Sequence, residues 1–132
     1  MAQSDIDLVR DSHEAFRRRD FDAFLDYMDP EIEFTSLVLE VEGTYRGHDG
    51  IRAWWDDILA VFPDWQPQVE DARELCGHVV LRVRAEGAGT GSGIDVDRTI
   101  WQVAEVRDGR LRAWKFFRTE HEALVAAAAE DG

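Results

Sequence analysis

The chain has 132 residues, a hydrophobic fraction of 45% and a formal charge of −13, which fits one domain with roughly two-thirds of its unfolded surface buried. That acidity argues against nucleic acid and anionic membrane surfaces as partners, because both are gripped by clustered Lys and Arg. Cys76 is the single cysteine, so no intrachain disulfide and no thiolate zinc set can form.

The opening MAQSDIDLVRD has neither a basic start nor an apolar stretch, and no apolar run approaches the ~20 residues that cross a bilayer, so the cytoplasm is the expected location. Ser4 is the expected cap of a first helix running from Asp5 or Ile6 to Arg19. Ile6, Val9, His13 and Phe16 share one face of it, which turns His13 inward. Arg17, Arg18 and Arg19 sit near its C-terminus, where the helix dipole favours cations. Asp20 caps a second helix whose stripe is Phe21, Phe24, Leu25 and Met28, with Tyr27 on the flank, and Asp29-Pro30 ends it.

Glu31 to Gly43 reads as extended. Ile32 and Phe34 take one parity and Leu37, Leu39 and Val41 the other, so an irregularity is expected near Thr35-Ser36. The next segment, TYRGHDGIRAWWDDILAVF, is a helix that stops at Pro63. Its residues Ile51, Trp54, Trp55, Ile58, Leu59 and Phe62 recur at helical spacing and form one broad apolar face. Two adjacent tryptophans need a large concave partner.

Strands are expected at Trp65–Leu75, His78–Glu86, Asp95–Val106 and Arg110–Arg118. Gly77, the GAGTGSG tract and Asp108-Gly109 separate them, the last being a two-residue hairpin signal. Tight turns between sequential strands give an antiparallel sheet. Thr119 to Glu122 is a capping box that opens a short helix through Ala129. This order describes a single α+β domain over residues 1–132. To cover Trp54 and Trp55 the sheet has to curl, which leaves a cone-shaped cavity between sheet and helices.

No cofactor or metal is implied. His48, His78 and His121 lack metal-ligand spacing, and GAGTGSG lacks the Gly-Lys-Ser/Thr end of a phosphate loop, so that tract reads as a mobile hairpin over the pocket mouth. His13 is either a general acid/base or a hydrogen-bonded core histidine. Tyr27 is either a pocket donor or a core residue with its hydroxyl at the rim. Asp97, if buried, has a raised pKa and serves as a base; at a solvated strand start it is an ordinary carboxylate.

Three segments, RRRDFDAFLDYMDPEIEF, YRGHDGIRAWW and RDGRLRAWKFFRTEHEAL, resemble those of the nuclear transport factor 2-like superfamily and, within it, the SnoaL-like proteins. The resemblance covers nearly the whole chain. It implies a curved antiparallel sheet wrapped around N-terminal helices, a cystatin-like roll with a cone-shaped pocket, and a homodimer. The superfamily includes isomerases, dehydratases, epoxide hydrolases, polyketide cyclases and binding-only members. Matched to ketosteroid isomerases, the general-base position falls on Thr35, which cannot act as a base near neutral pH. The oxyanion donors fall on Ser12 or His13 and on Trp101, and the acid/base aspartate of SnoaL-type cyclases falls on Phe116.

The same resemblance turns Trp114, Phe116 and Arg118 of the last strand toward the cavity. Asp97, Thr99, Trp101 and Val103 of the strand before it, and Leu81, Val83 and Ala85 of the one before that, join them. Trp55 becomes a pocket wall and Trp54 packs into the body. Arg118 either clamps a carboxylate or phenolate or pairs with Asp97, Glu120 or Glu122. The outer sheet face, with Val80, Arg82, Arg84, Arg98, Ile100, Gln102 and Ala104, suits a dimer interface. The expected ligand is a small apolar, aromatic or polyketide-like molecule. His13, Asp97 and Arg118 are the candidate catalytic set, with Tyr27, Thr35, Trp55, Leu81, Val83, Thr99, Trp101, Trp114 and Phe116 as ligand contacts. The alternative is a binding module with the same pocket and no turnover.

Overall fold

Ser4 opens the first helix of the computed structural model, which describes residues 4–38, 41–88 and 95–128, with backbone only at 38, 41, 42, 88 and 95–97. Its hydroxyl accepts from the Asp7 amide at 3.1 Å, and Asp5 and Asp7 place negative charge against the dipole of α1 (Asp5–Arg17). The helix ends two residues before the expected Arg19, because the chain turns there through φ +58°. The Arg19 guanidinium fixes that turn, donating to the Phe16 carbonyl at 3.0 Å and the Trp65 carbonyl at 2.6 Å. Asp20 caps α2 (Phe21–Asp26) through the Ala23 amide.

The remaining elements are β1 (Met28–Val38), β2 (Val41–Arg46), α3 (Gly47–Val61), β3 (Gln66–Leu75), β4 (His78–Ala88), β5 (Asp95–Arg107), β6 (Arg110–Phe117) and α4 (Glu120–Ala128). The strands form one curved, open sheet in the order β2-β1-β6-β5-β4-β3. Every neighbouring pair is antiparallel except β1 with β6, which is parallel. Asp108 and Gly109 take φ +54° and +77° and close the β5–β6 hairpin as a primed two-residue turn. Helices α1, α2 and α3 lie on the concave face, α1 against β3 and α3 against β1 and β2.

Two sequence expectations need correction. The irregularity in β1 is not at Thr35-Ser36; its pairing slips between Met28 and Glu33, around Pro30, whose nitrogen has no hydrogen for the ladder. From Glu33 to Val38 the pairing to β2 is unbroken, so Ile32, Phe34 and Ser36 all face the core. Second, the outer face is not a free sheet surface. α4 lies on it, seating Ala123 and Ala127 on Val80 and Val103 beside Trp101 and Phe117. The GAGTGSG hairpin, apart from its first two residues, lies outside the described residues.

The entry of α3 is set by tertiary contacts. Gly47 takes φ +68°, and His48 Nε2 donates to the Met28 carbonyl at 3.0 Å. Gly50 lies so close to β2 that a Cβ there would sit 2.9 Å from the Tyr45 carbonyl carbon. These contacts fix the rotation of α3 about its own axis, and with it the direction in which each tryptophan points.

Candidate functional site

The inner face of the sheet and the helices enclose a cavity with about 20 Å³ open to the centre of a water-sized sphere, room for about one water. Its walls are mostly aromatic. Phe16 and His13 come from α1, Phe24 from α2, Phe34 from β1, Trp54 from α3, Trp114 and Phe116 from β6. Val83, Ile100, Gln102, Trp65 and Pro67 complete it. The rings meet edge-on or tilted, Phe34 against Trp54 with centroids 4.7 Å apart and His13 against Trp114 at 5.0 Å.

The polar centre of the cavity is Gln102. Its Oε1 lies 3.0 Å from His13 Nε2 and accepts from Trp114 Nε1 at 2.8 Å. This geometry decides the histidine tautomer. An indole nitrogen only donates, so the Gln102 atom facing Trp114 must be the oxygen. That oxygen can only accept, so His13 Nε2 carries the proton and Nδ1 holds the free lone pair. Burial pushes the His13 pKa down from 6.5 to about 4. The hydrogen bond to Gln102 opposes that shift, and the charges of Arg10 and Arg17 add to it. His13 is therefore a neutral imidazole at physiological pH, only 5% exposed.

One donor in the wall is unspent. Trp54 is 4% exposed, and its buried Nε1 has no hydrogen-bond partner among the described residues. Leaving such a donor unpaired costs about 1–3 kcal/mol, so an acceptor delivered by a ligand would find it ready.

The placements of the expected site residues divide cleanly. His13, Val83, Trp114 and Phe116 line the cavity, and Leu81 is buried in the same core. Thr99 and Trp101 do not face it. The inward residues of β5 are Ile100, Gln102 and Ala104, which stand opposite Val83 and Leu81 on β4 and Phe116 and Trp114 on β6. Thr99 is exposed, and Trp101 packs with the α4 cluster. Thr35 is on the outer face, its hydroxyl 3.3 Å from that of Thr44, while its neighbour Phe34 points inward.

Arg118 follows the last residue of β6 and is exposed. It borders a separate depression with Thr99 and Arg98, and its amide donates to Glu122 Oε1 at 3.2 Å. Arg118 and His13 are therefore not brought together. The side chain of Asp97 lies outside the described residues. Tyr27 is half-buried against the core without lining the cavity, and its carbonyl accepts from the Leu111 amide at 2.8 Å.

The tryptophans exchange roles. Trp54 is the cavity wall, and Trp55 packs outside it with Phe16, Phe21 and Phe24, at centroid distances of 4.8, 5.0 and 5.3 Å. Several lining residues were not expected there, and the polar one among them is Gln102. Its signal was the alternation Ile100-Gln102-Ala104 opposite Leu81 and Val83, readable once the β4–β5 register is known.

A helix-lined curved sheet around a small aromatic cavity with one neutral histidine in its wall is an α+β roll of the nuclear transport factor 2-like fold. The chain belongs to the SnoaL-like domain family, whose sequence profile matches residues 9–114. Solved structures of the same fold include a nuclear transport factor 2-like protein of unknown function from Burkholderia pseudomallei. It is 20% identical, covering 93% of this chain and 96% of its own, with a TM-score of 0.76. TerC, co-crystallised with polyporic acid, is 21% identical over 90% of this chain and 96% of its own, with a TM-score of 0.75. A protein provisionally assigned as a polyketide cyclase, from Sinorhizobium meliloti, is 18% identical over 84% and 94% of the two chains, with a TM-score of 0.70. At these identities the likeness is one of fold. No curated protein matches the chain in sequence.

Proposed function

We propose that this domain takes a small apolar, aromatic or polyketide-like molecule into the cavity and performs cofactor-free proton transfer on it, as isomerases, dehydratases and cyclases do, with His13 as the proton-carrying group. The observation that carries this reading is the Gln102-fixed tautomer, which leaves Nδ1 of a buried, neutral imidazole in the cavity wall without a proton. The unspent Trp54 N–H is the natural donor to a ligand oxygen. Because the cavity has room for about one water, a ligand enters by displacing side chains, and its binding expands the chamber. TerC crystallised with an organic molecule, which agrees with a ligand-taking fold.

The test is calorimetric binding of 2-naphthol and its saturated analogue 2-decalol, followed by a crystal structure with the bound probe. Binding that His13→Gln and Trp54→Phe both weaken supports the reading, and failure of either probe to enter the cavity refutes it. A second reading, a binding module without turnover, is favoured by the absence of a carboxylate among the described lining residues. It predicts probe binding with no proton exchange. The same proposal places the domain in the cytoplasm and in a homodimer through the part of the outer sheet face that α4 leaves open. Light scattering tests the dimer and cell fractionation the location.

A further inference from the structure

A groove of about 380 Å³, open to solvent, runs along the outside of the cavity between α1 and β3. Arg10, Glu14 and Arg17 line it from α1, and Pro67, Gln68 and Val69 from β3. His13 and Pro67 line both the groove and the inner cavity, so they form the partition between them. Positions 10, 13, 14 and 17 fall on one face of the helix, which puts the two guanidiniums on either side of the imidazole.

The charges in this groove run against those of the whole chain. Two arginines and one glutamate line it on a protein of charge −13, and the β3 side adds no charge. Arg17 is partly committed: Nη1 donates to the Pro67 carbonyl at 3.2 Å, and Nε lies 3.7 Å from Glu14. Arg10 makes no hydrogen bond or ion pair among the described residues. A free guanidinium beside a groove that shares its inner wall with an aromatic chamber is a half-built carboxylate site.

We infer that the groove is the polar half of the ligand site and takes the carboxylate of an amphipathic molecule, which Arg10 holds while the apolar body passes between His13 and Pro67 into the cavity. This inference rests on the reading of the cavity as a ligand site and names the class of ligand: an aromatic acid. It carries a second consequence. Arg10 and Arg17 both depress the protonation of His13, and the other groups facing His13 are Glu14, Gln102 and Trp114. An anion held between the arginines offsets their charge, so binding of an acid raises the His13 pKa from about 4. A neutral ligand lacks that effect.

The experiment compares 1-naphthylacetate with its uncharged isostere 1-naphthylacetamide by calorimetry at pH 7.5 and low salt, on the full chain and on Arg10→Ala. Arg10 is exposed on a helix, where alanine is well tolerated, and circular dichroism checks the fold. The acid should bind about fivefold more tightly than the amide, the upper range for an exposed charge pair. The preference should vanish in Arg10→Ala while amide affinity holds. In parallel, the NMR titration of His13 should move to higher pH with the acid and stay put with the amide. Equal affinities for acid and amide in the native chain, or an equal loss of both in Arg10→Ala, overturn the inference and leave the cavity reading standing. Binding of neither overturns both.

Discussion

The His13 tautomer and its depressed pKa make a prediction about stability that does not depend on knowing the ligand. In the unfolded chain the imidazole titrates near 6.5, and in the folded protein burial holds it at about 4. Between those values the unfolded state binds the extra proton. The contribution is therefore present above pH 6.5 and is lost as pH falls through 4. Over the full window it amounts to about 3 kcal/mol, of which about 2 kcal/mol falls between pH 7 and pH 5. The group is only 5% exposed, so solvent screening takes little from that figure. Urea unfolding at pH 7 and pH 5 would show it: with a typical slope of 1–3 kcal/mol/M, the midpoint should fall by about 1 M. His13→Gln should flatten that dependence while keeping a hydrogen-bonding group beside Gln102. A variant with the same pH dependence as the native protein, or a His13 resonance that titrates near 6.5, would refute the reasoning.

Two further predictions test the cavity walls. Gln102→Leu strands two buried donors, His13 Nε2–H and Trp114 Nε1–H, and should cost about 2–4 kcal/mol in chemical denaturation. Gln102→Glu instead sets a carboxylate against Nε2 and should shift the His13 NMR titration to higher pH. A cost below about 0.5 kcal/mol for Gln102→Leu would mean that the two donors find other partners. Trp54→Ala should enlarge the cavity while removing its free donor, and so alter the affinity for 2-naphthol, at a stability cost of about 3–5 kcal/mol. Trp55→Ala should cost comparable stability without changing affinity, because Trp55 packs outside the wall. Reversed binding effects would return the wall to Trp55.

The parts of this fold that were legible in the sequence are those with local causes. Ser4 and Asp20 cap their helices through amides three residues away, and Asp108-Gly109 turns a hairpin with its own dihedrals. Strand β4 was also read correctly, because Leu81, Val83 and Ala85 alternate with the charged Arg82, Arg84 and Glu86. β5 offered no such contrast. Trp101 and Val103 make one face apolar, and Ile100 and Ala104 the other. Both faces are covered, the inner by the main core and the outer by α4, so hydrophobicity could not choose between them. Gln102 fell on the outer face because the resemblance turned Thr99 and Trp101 inward, and only the β4–β5 register puts it opposite Leu81. Trp54 and Trp55 were exchanged for a similar reason. They lie about 100° apart on one wide face, and the rotation of α3 that separates them is fixed by His48 and Gly50 against distant backbone.

The chemistry open to this site is limited by the weakness of its base. Moving a proton from carbon to an imidazole of pKa about 4 costs about 1.4 kcal/mol per unit of difference. An isolated ketone is so weak a carbon acid that its uphill step to this base exceeds the ~17 kcal/mol barrier of a turnover of one per second. A methylene between two carbonyls, near pKa ~10, asks only about 8 kcal/mol. A donor such as the Trp54 N–H on the developing oxyanion contributes about 3–4 kcal/mol, too little to rescue the first case and ample for the second. On the proposed role of His13 as base, substrates with activated C–H bonds, of the 1,3-dicarbonyl kind found in polyketide-like chains, are the ones it could serve. Solvent deuterium exchange decides the point. The protein should accelerate exchange into the activated methylene of an aryl 1,3-diketone, His13→Gln should abolish the acceleration, and a simple aryl ketone of the same shape should gain nothing. Equal acceleration of both ketones would mean that a stronger base than His13 acts in the chamber.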